Sequence, residues 1–248
     1  MAYLDIESLI TVARDLARGG RWAPAQALLA AAEAADAHEA GAIAVAAADA
    51  EADRAFWMRH VADPDVLATA QELATDAVQV WTAGFAQLRA DYAPQLWTRI
   101  AGEPPDDEAV ARLAAAAERL AETAPDPASR AYATFYRGLI AGVLQDDSVA
   151  GEKYYRAAAE TDDEYVRSYA LRHLGWVADE AGRPDEAIKL WRESTRLRQR
   201  VGFVPGTLAQ LQLIVAHTSV QRVVEDWATE LDIGDWIMQA AGVDPEDA

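Results

Sequence analysis

The sequence predicts an all-α protein whose antiparallel helical hairpins stack into a solenoid. Gly138, Gly175 and Gln212 stand at a fixed interval of 37 residues, each within the same helix-turn-helix pattern. A repeat of this length cannot bury the apolar faces of its two helices alone, so it stacks on its neighbours. Strand signals are missing, because no stretch alternates apolar and polar residues for long enough. We therefore expect one continuous solenoid over residues 1–248.

Residues 1–101 are predicted to contain divergent N-terminal repeats. Apolar residues recur at helical spacing over residues 4–35, which indicates a first hairpin. Two longer helices are expected over residues 37–61 and 65–90, separated at Asp63-Pro64. Pro94 and the segment 102–105 are predicted breaks.

The more regular 37-residue repeats occupy residues 106–231, and the clearest of them runs from Ser168 to Arg200. Gly182 ends its first helix and Pro184 opens the second, as a C-terminal glycine and an N-terminal proline do. The predicted buried faces comprise Leu171, Leu174, Gly175 and Ala178, then Ala187, Leu190 or Trp191, Ser194 and Leu197. Gly175 and Ala187 are small, which predicts a close approach of the two helices. Residues 232–248 are predicted to form a capping helix, from Asp232 to Ala241, and a fraying tail.

This repeat resembles the tetratricopeptide repeat (TPR) family through a short set of residues: Leu174-Gly175, Ala178, Gly182, Asp185-Glu186-Ala187-Ile188 and Trp191. The preceding repeat has Gly138, Ala141, Ala150, Tyr154 and Ala157 at matching places, and the following one has Leu211-Gln212, Val215, Val224 and Ala228. The stretch 196–202 looks like the longer-spaced repeats of actinobacterial signalling and regulatory proteins. The resemblance implies a right-handed solenoid whose first helices line a concave, partner-binding surface.

The resemblance also implies which residues face that surface. The predicted partner-binding residues are Tyr132, Phe135, Tyr169, Arg172, His173, Trp176, Asp179, Glu180, Leu213 and His217. Tyr169, Arg172 and Trp176 are spaced by three and four residues and share one helix face. Aromatic anchors beside a guanidinium are typical of binding hot spots. For Phe135, packing between repeats is an equally weighted alternative.

Composition and charge restrict the class of partner. The formal net charge of −19 argues against nucleic acid, since such a surface repels phosphates. Many carboxylates fall where helices begin, where they cap N–H groups. The N-terminal residues carry no basic leader and no apolar run is long enough to span a bilayer, so we expect a cytoplasmic protein without membrane partners. The basic cluster over residues 189–200 is interpreted as a solvated outer helix face.

No motif specifies catalysis, a metal or a cofactor. The chain has no cysteine, and no two of its four histidines share the spacing of a helical metal pair. Asp49, Glu51 and Asp53 alternate, which sends them to different helix faces. Three hypotheses follow: a module that binds a protein or peptide, a regulator that encloses a small ligand in an aromatic-lined pocket, and, third, an enzyme of unfamiliar type.

Overall fold

The computed structural model describes residues 5–218, without the side chains of residue 212 and residues 215–218. Within that range the chain is all-α, with eleven α-helices and no strand. The helices are α1 (Ile6–Arg18), α2 (Trp22–Ala30), α3 (Ala37–Met58), α4 (Pro64–Leu73), α5 (Ala77–Ile100), α6 (Asp107–Glu122), α7 (Pro127–Leu139), α8 (Ser148–Ala159), α9 (Glu164–Glu180), α10 (Pro184–Arg200) and α11 (Val204–Thr218). A π-helical segment, Ile140–Leu144, continues α7. The predicted capping helix and tail lie outside the described residues.

The chain divides into two compact units, residues 1–151 and residues 152–248, which we call unit 1 and unit 2. The 37-residue interval reappears in the helix starts, because α7 begins at Pro127 and α9 at Glu164. The next helix of the series, α11, begins at Val204, three residues later than the interval requires. The predicted single solenoid over the whole chain stays a prediction.

Aspartate caps explain how many of the helices begin. In eight helices the preceding aspartate accepts a hydrogen bond from a backbone N–H of the first turn; these caps are Asp5, Asp36, Asp63, Asp76, Asp106, Asp126, Asp147 and Asp163. Each such cap stabilises its helix by about 1 kcal/mol. A substantial part of the negative charge is therefore used to start helices.

In unit 1, helices α3 and α5 lie side by side and run in the same direction. Near their starts, Gln79 Nε2 donates a hydrogen bond to the carbonyl of His38 at 3.0 Å. Further along both helices, Arg89 pairs with Asp49 and Asp53. The contact between α3 and α5 belongs to an alanine-rich core that also includes α4: Ala44, Ala48, Ala52, Ala55, Ala70, Ala83, Ala86 and Ala90. Small side chains let the helices approach closely.

Helix α7 packs beside α5 through an aromatic cluster. The Phe85 ring lies 4.7 Å from that of Tyr132 and 5.3 Å from that of Tyr136, and Tyr92 lies 5.5 Å from Tyr136. Helix α6 joins the same region, because the indole of Trp81 donates to the carbonyl of residue 120 at 2.8 Å. Helices α5 and α7 thus also run side by side in one direction.

In unit 2, α9 and α10 form the predicted antiparallel hairpin. Trp191 Nε1 donates to the carbonyl of Arg172 at 3.1 Å, and Ser194 Oγ donates to the carbonyl of Ser168 at 2.6 Å. Of the two candidates for the interior, Trp191 is the buried residue, at 1% exposed. Gly175 lies against the indole of Trp191, whose atoms are the nearest to a Cβ built at this position. The turn is as predicted, with Gly182 at φ 71° and Pro184 at the start of α10.

Two predicted boundaries in unit 1 are wrong. The helix expected over residues 65–90 is interrupted after Leu73, because Asp76 caps a new helix and the Gln79 amide oxygen accepts from both the backbone and the hydroxyl of Thr75. Helix α5 continues through Pro94 instead of breaking there. Its neighbours Tyr92 and Ala93 are 1% and 2% exposed, so tertiary packing holds the helix across the proline.

Candidate functional site

The predicted stripe of α9 lies in a contact region of three helices in unit 2. Asp163 caps α9 by accepting from the N–H of Val166 at 2.9 Å. From that start, Tyr165, Tyr169 and Arg172 follow at spacings of four and three residues, which places them on one side of the helix. We use the name two-arginine site for a set of six residues: Tyr165, Tyr169 and Arg172 of α9, Arg198 of α10, Phe203 before α11, and Gln210 of α11.

Arg172 joins α9 to α11 through neutral acceptors. Its side chain is half-buried, and Nη1 donates to the carbonyl of Ala209 at 3.3 Å and to Gln210 Oε1 at 3.1 Å. Within residues 5–218, no carboxylate pairs with this guanidinium. Among the described residues, the positive charge of Arg172 is therefore balanced by the dipoles of a carbonyl and an amide.

Arg198 is more deeply buried, at 1% exposed. Its Nη1 donates to the carbonyl of Gly206, and its Cζ lies 5.1 Å from the centre of the Tyr169 ring and 5.5 Å from that of Phe203. The other two nitrogens, Nε and Nη2, have no acceptor among the described residues. The same holds for Nε2 of Gln210, a side chain that is fully buried. Several N–H donors are thus buried in one small region without acceptors.

The electrostatics of the site reflect two cations in a region of low polarity. Burial, together with the neighbouring charge of Arg198, lowers the pKa of Arg172 to about 9. Burial likewise lowers the pKa of Arg198 to about 10. Both groups remain protonated at neutral pH. Burial and the two arginines also lower the pKa of His173 to about 3, so this imidazole is neutral at pH 7.

The remaining predicted residues of unit 2 surround this site at different depths. Trp176 is half-buried, with its ring 6.0 Å from that of Trp191, and His173 lies 4.9 Å from the ring of Tyr155. Asp179 is half-buried and Glu180 is exposed, both in the last turn of α9. Leu213 of α11 is buried. His217 belongs to α11, but its side chain is outside the described residues.

The two predicted residues of unit 1 lie in the aromatic cluster between α5 and α7. Tyr132 is half-buried, and Phe135 is 1% exposed with its ring 6.5 Å from that of Tyr132. For Phe135, this burial is the interior packing that the sequence left open as an alternative to binding. Phe135 is therefore an interior residue and offers no area to a partner.

The interpretation of residues 189–200 as a solvated basic face is wrong for Arg198. The face of α10 that packs against α9 carries Trp191, Ser194 and Thr195, all at most 1% exposed. Arg198 continues that face at spacings of three and four, so helical periodicity places it inside. The net charge of the segment concealed this signal, since arginine is seldom fully buried.

A second polar cluster, in unit 1, was also not predicted. Asp49 and Asp53 are four residues apart on α3, so they share a face, and both pair with the buried Arg89 of α5. Burial raises the pKa of Asp53 to about 6 against the attraction of Arg89. Glu51 points elsewhere, accepting from Gln26, Arg54 and the backbone of residue 63. The expected separation onto different faces holds for Glu51 only.

Unit 1 also contains an open groove of about 890 Å³ between α5 and α6. Its floor is made of small and apolar residues, including Ala83, Gly84 and Leu113. Gln87 bridges its wall by accepting from Gln71 and donating to Asp91. These three side chains therefore bond to one another across the groove.

Comparison with known proteins identified no relative: no family model, no curated protein and no solved structure matches the chain. In the part of the chain that the structure describes, no three histidine, aspartate or glutamate side chains are arranged to hold a metal ion. None of the helices described combines the length and apolar character needed to cross a bilayer. The site must therefore be interpreted from its own chemistry.

Proposed function

We propose that this chain is a helical-repeat interaction module of the TPR type, which binds a peptide segment of a partner protein. The binding surface is the face of unit 2 that presents Tyr169, Arg172 and Trp176. The observation that carries the proposal is the half-buried guanidinium of Arg172, which is fixed by two neutral acceptors and shares its helix face with Tyr169 and Trp176.

The packing of alternate helices supports the repeat architecture. In unit 1, α3, α5 and α7 lie side by side in one direction, as the Arg89 pairs and the Phe85 ring contacts require. In unit 2, α9 and α11 do the same, because Tyr165 and Arg172 contact Phe203 and Ala209 in that order. Stacked hairpins that bring every first helix together produce a surface lined by those helices.

The chemistry of the stripe supports binding over a purely structural role. Tyr169 and Trp176 are both half-buried, so each retains contact area for a partner. Large aromatic side chains supply this area at little entropic cost, and a guanidinium can pair with a carboxylate or stack on a ring. Truncating such hot-spot residues typically costs more than 1 kcal/mol of binding free energy each.

A small-ligand regulator is the second candidate, favoured by the buried, incompletely bonded guanidinium of Arg198. An enzyme would need a carboxylate pair that is open to substrate. The pair Asp49 and Asp53 does not provide one, since Arg89 bridges the two carboxylates. The pairing neutralises part of their charge and gives them a role in holding α3 against α5.

The proposal is tested by selecting peptides from a display library against the purified chain and measuring their affinity by fluorescence anisotropy. We expect Arg172→Ala combined with Trp176→Ala to weaken the selected peptides at least about tenfold, roughly 1.4 kcal/mol. Arg167→Ala is the matched control, because Arg167 is an exposed residue of the same helix. If the parent enriches no peptide, or if both variants bind equally well, the proposal is wrong.

A further inference from the structure

We propose that unit 2 contains a buried receptor for a single carboxylate group, formed by the Nε and Nη2 edge of Arg198 and the side-chain amide of Gln210. This site shares Tyr169 and Arg172 with the proposed peptide-binding surface, but the binding of a carboxylate by Arg198 does not require that a peptide binds there.

The unsatisfied donors are a pair with a fixed geometry. Nε–H and one N–H of Nη2 point the same way from the plane of a guanidinium, and together they match the two oxygens of a carboxylate. Neither of these two nitrogens of Arg198 has an acceptor within the part of the chain that the structure describes, whereas Nη1 is already bonded to the carbonyl of Gly206. The edge left open is therefore the one that binds a carboxylate in bidentate fashion.

Gln210 supplies a further donor at the same place. It follows Gly206 by one helical turn, so its amide lies on the side of α11 that faces Arg198. Its Oε1 accepts from Arg172, which leaves Nε2 as a buried donor without an acceptor. Arg172 thus orients the amide so that its N–H groups, and not its oxygen, remain available.

Leaving these groups unsatisfied is energetically unfavourable. A buried charge without a partner, and buried N–H groups without acceptors, destabilise a fold unless something completes them. Both arginines lie in one region, and no carboxylate among residues 5–218 pairs with either. A carboxylate supplies one negative charge and two acceptors, which matches the open edge of Arg198 in number and geometry.

The surroundings favour a carboxylate with a small or flat substituent. Tyr169 and Phe203 lie against the guanidinium, and their rings are 5.3 Å apart. These rings provide an apolar wall of low polarity, in which a charge-assisted pair is stronger than in water. The carboxylate can come from a free small acid or from the chain terminus of a peptide.

The test uses sodium acetate as the free acid, N-acetylglycine as a peptide-like terminal acid and acetamide as the neutral isostere, all at equal ionic strength. The Nε–H resonance of Arg198 is followed by nuclear magnetic resonance, and thermal melting is measured in parallel. We expect acetate or N-acetylglycine to move this resonance and to raise the melting temperature, while acetamide does neither. The more effective of the two acids identifies the source of the carboxylate.

Arg198→Lys retains the charge without the bidentate edge, so we expect it to bind the acids about tenfold more weakly. Arg196→Lys is the matched control on the same helix and should respond as the parent does. An Nε–H resonance that neither acid moves would overturn the proposal even if Arg198→Lys failed to fold. A response to inorganic phosphate but not to either acid would overturn it as well.

Discussion

Replacing Gly175 with alanine would bring a methyl group into steric overlap with the indole ring of Trp191. A Cβ built at this position lies 2.9 Å from Cε2 of Trp191, and closer still to Nε1 and Cδ1. Trp191 is 1% exposed and its Nε1 donates to the carbonyl of Arg172, so the ring cannot move without breaking this bond. Overpacking of this kind costs about 1–3 kcal/mol. The helix-propensity gain from alanine, about 1 kcal/mol, offsets only part of it.

We therefore expect Gly175→Ala to lower the free energy of unfolding by up to about 2 kcal/mol, measured by urea denaturation followed by circular dichroism. Gly84→Ala is the matched control within another helix. There the nearest heavy atom to the new Cβ is Cδ2 of Leu120 at 3.6 Å, an ordinary contact. Without a clash, the propensity term alone should stabilise this variant by up to about 1 kcal/mol.

The clash has a specific partner, which a double-mutant cycle can identify. Trp191→Phe removes the nitrogen-bearing ring of the indole, so Gly175→Ala should cost clearly less in that background than in the parent. Equal stability losses in both backgrounds would show that the methyl group meets something other than Trp191. A stability gain from Gly175→Ala in the parent would refute the proposed hairpin packing itself.

Three further outcomes are expected from urea midpoints. Folding lowers the pKa of His173 from 6.5 to about 3, so between these pH values the unfolded chain binds a proton that the folded chain does not. The stability that the neutral imidazole contributes is therefore lost as the pH falls from 6.5 to about 3. His173→Gln should make stability depend less on pH in this range. Folding raises the pKa of Asp53 from 3.8 to about 6, so the stability contributed by its protonated form is lost as the pH rises from 3.8 to about 6. Asp53→Asn should make the free energy of unfolding fall less steeply over this range. Arg198→Met removes a buried charge that no described carboxylate pairs with, so in acetate-free buffer this variant should be at least as stable as the parent. A large decrease in the free energy of unfolding would indicate that groups of the protein already stabilise the Arg198 guanidinium.

Helix boundaries were predictable where local chemistry alone sets them. Gly182 and Pro184 mark the turn between α9 and α10, and the break at residues 102–105 separates α5 from α6 as expected. Pro94 does not break α5, because the two residues before it, Tyr92 and Ala93, are buried, and a rule based on local sequence does not include this packing. The interruption after Leu73 was missed, because the bonds between Thr75 and Gln79 that mark it depend on the folded backbone.

The candidate site was predictable only in part. The stripe of Tyr169, Arg172 and Trp176 follows from helical spacing, and the structure places the first two beside α11. Arg198 was missed because its charge was given more weight than its position on the buried face of α10. Gln210 could not be found from the sequence, since its role depends on the register between α9 and α11.

The net charge of −19 and the two-arginine site are compatible because they act over different distances. Exposed carboxylates are screened by salt within about 10 Å, and many of them already cap helices in this chain. Arg198 lies inside unit 2, where screening is weak and the nearest groups are aromatic rings and backbone carbonyls. A carboxylate that reaches Arg198 meets a locally positive environment, even though the chain as a whole is negatively charged. An acidic protein can therefore bind a single small anionic group, because the exposed carboxylates are screened by salt while the charge of Arg198 is buried.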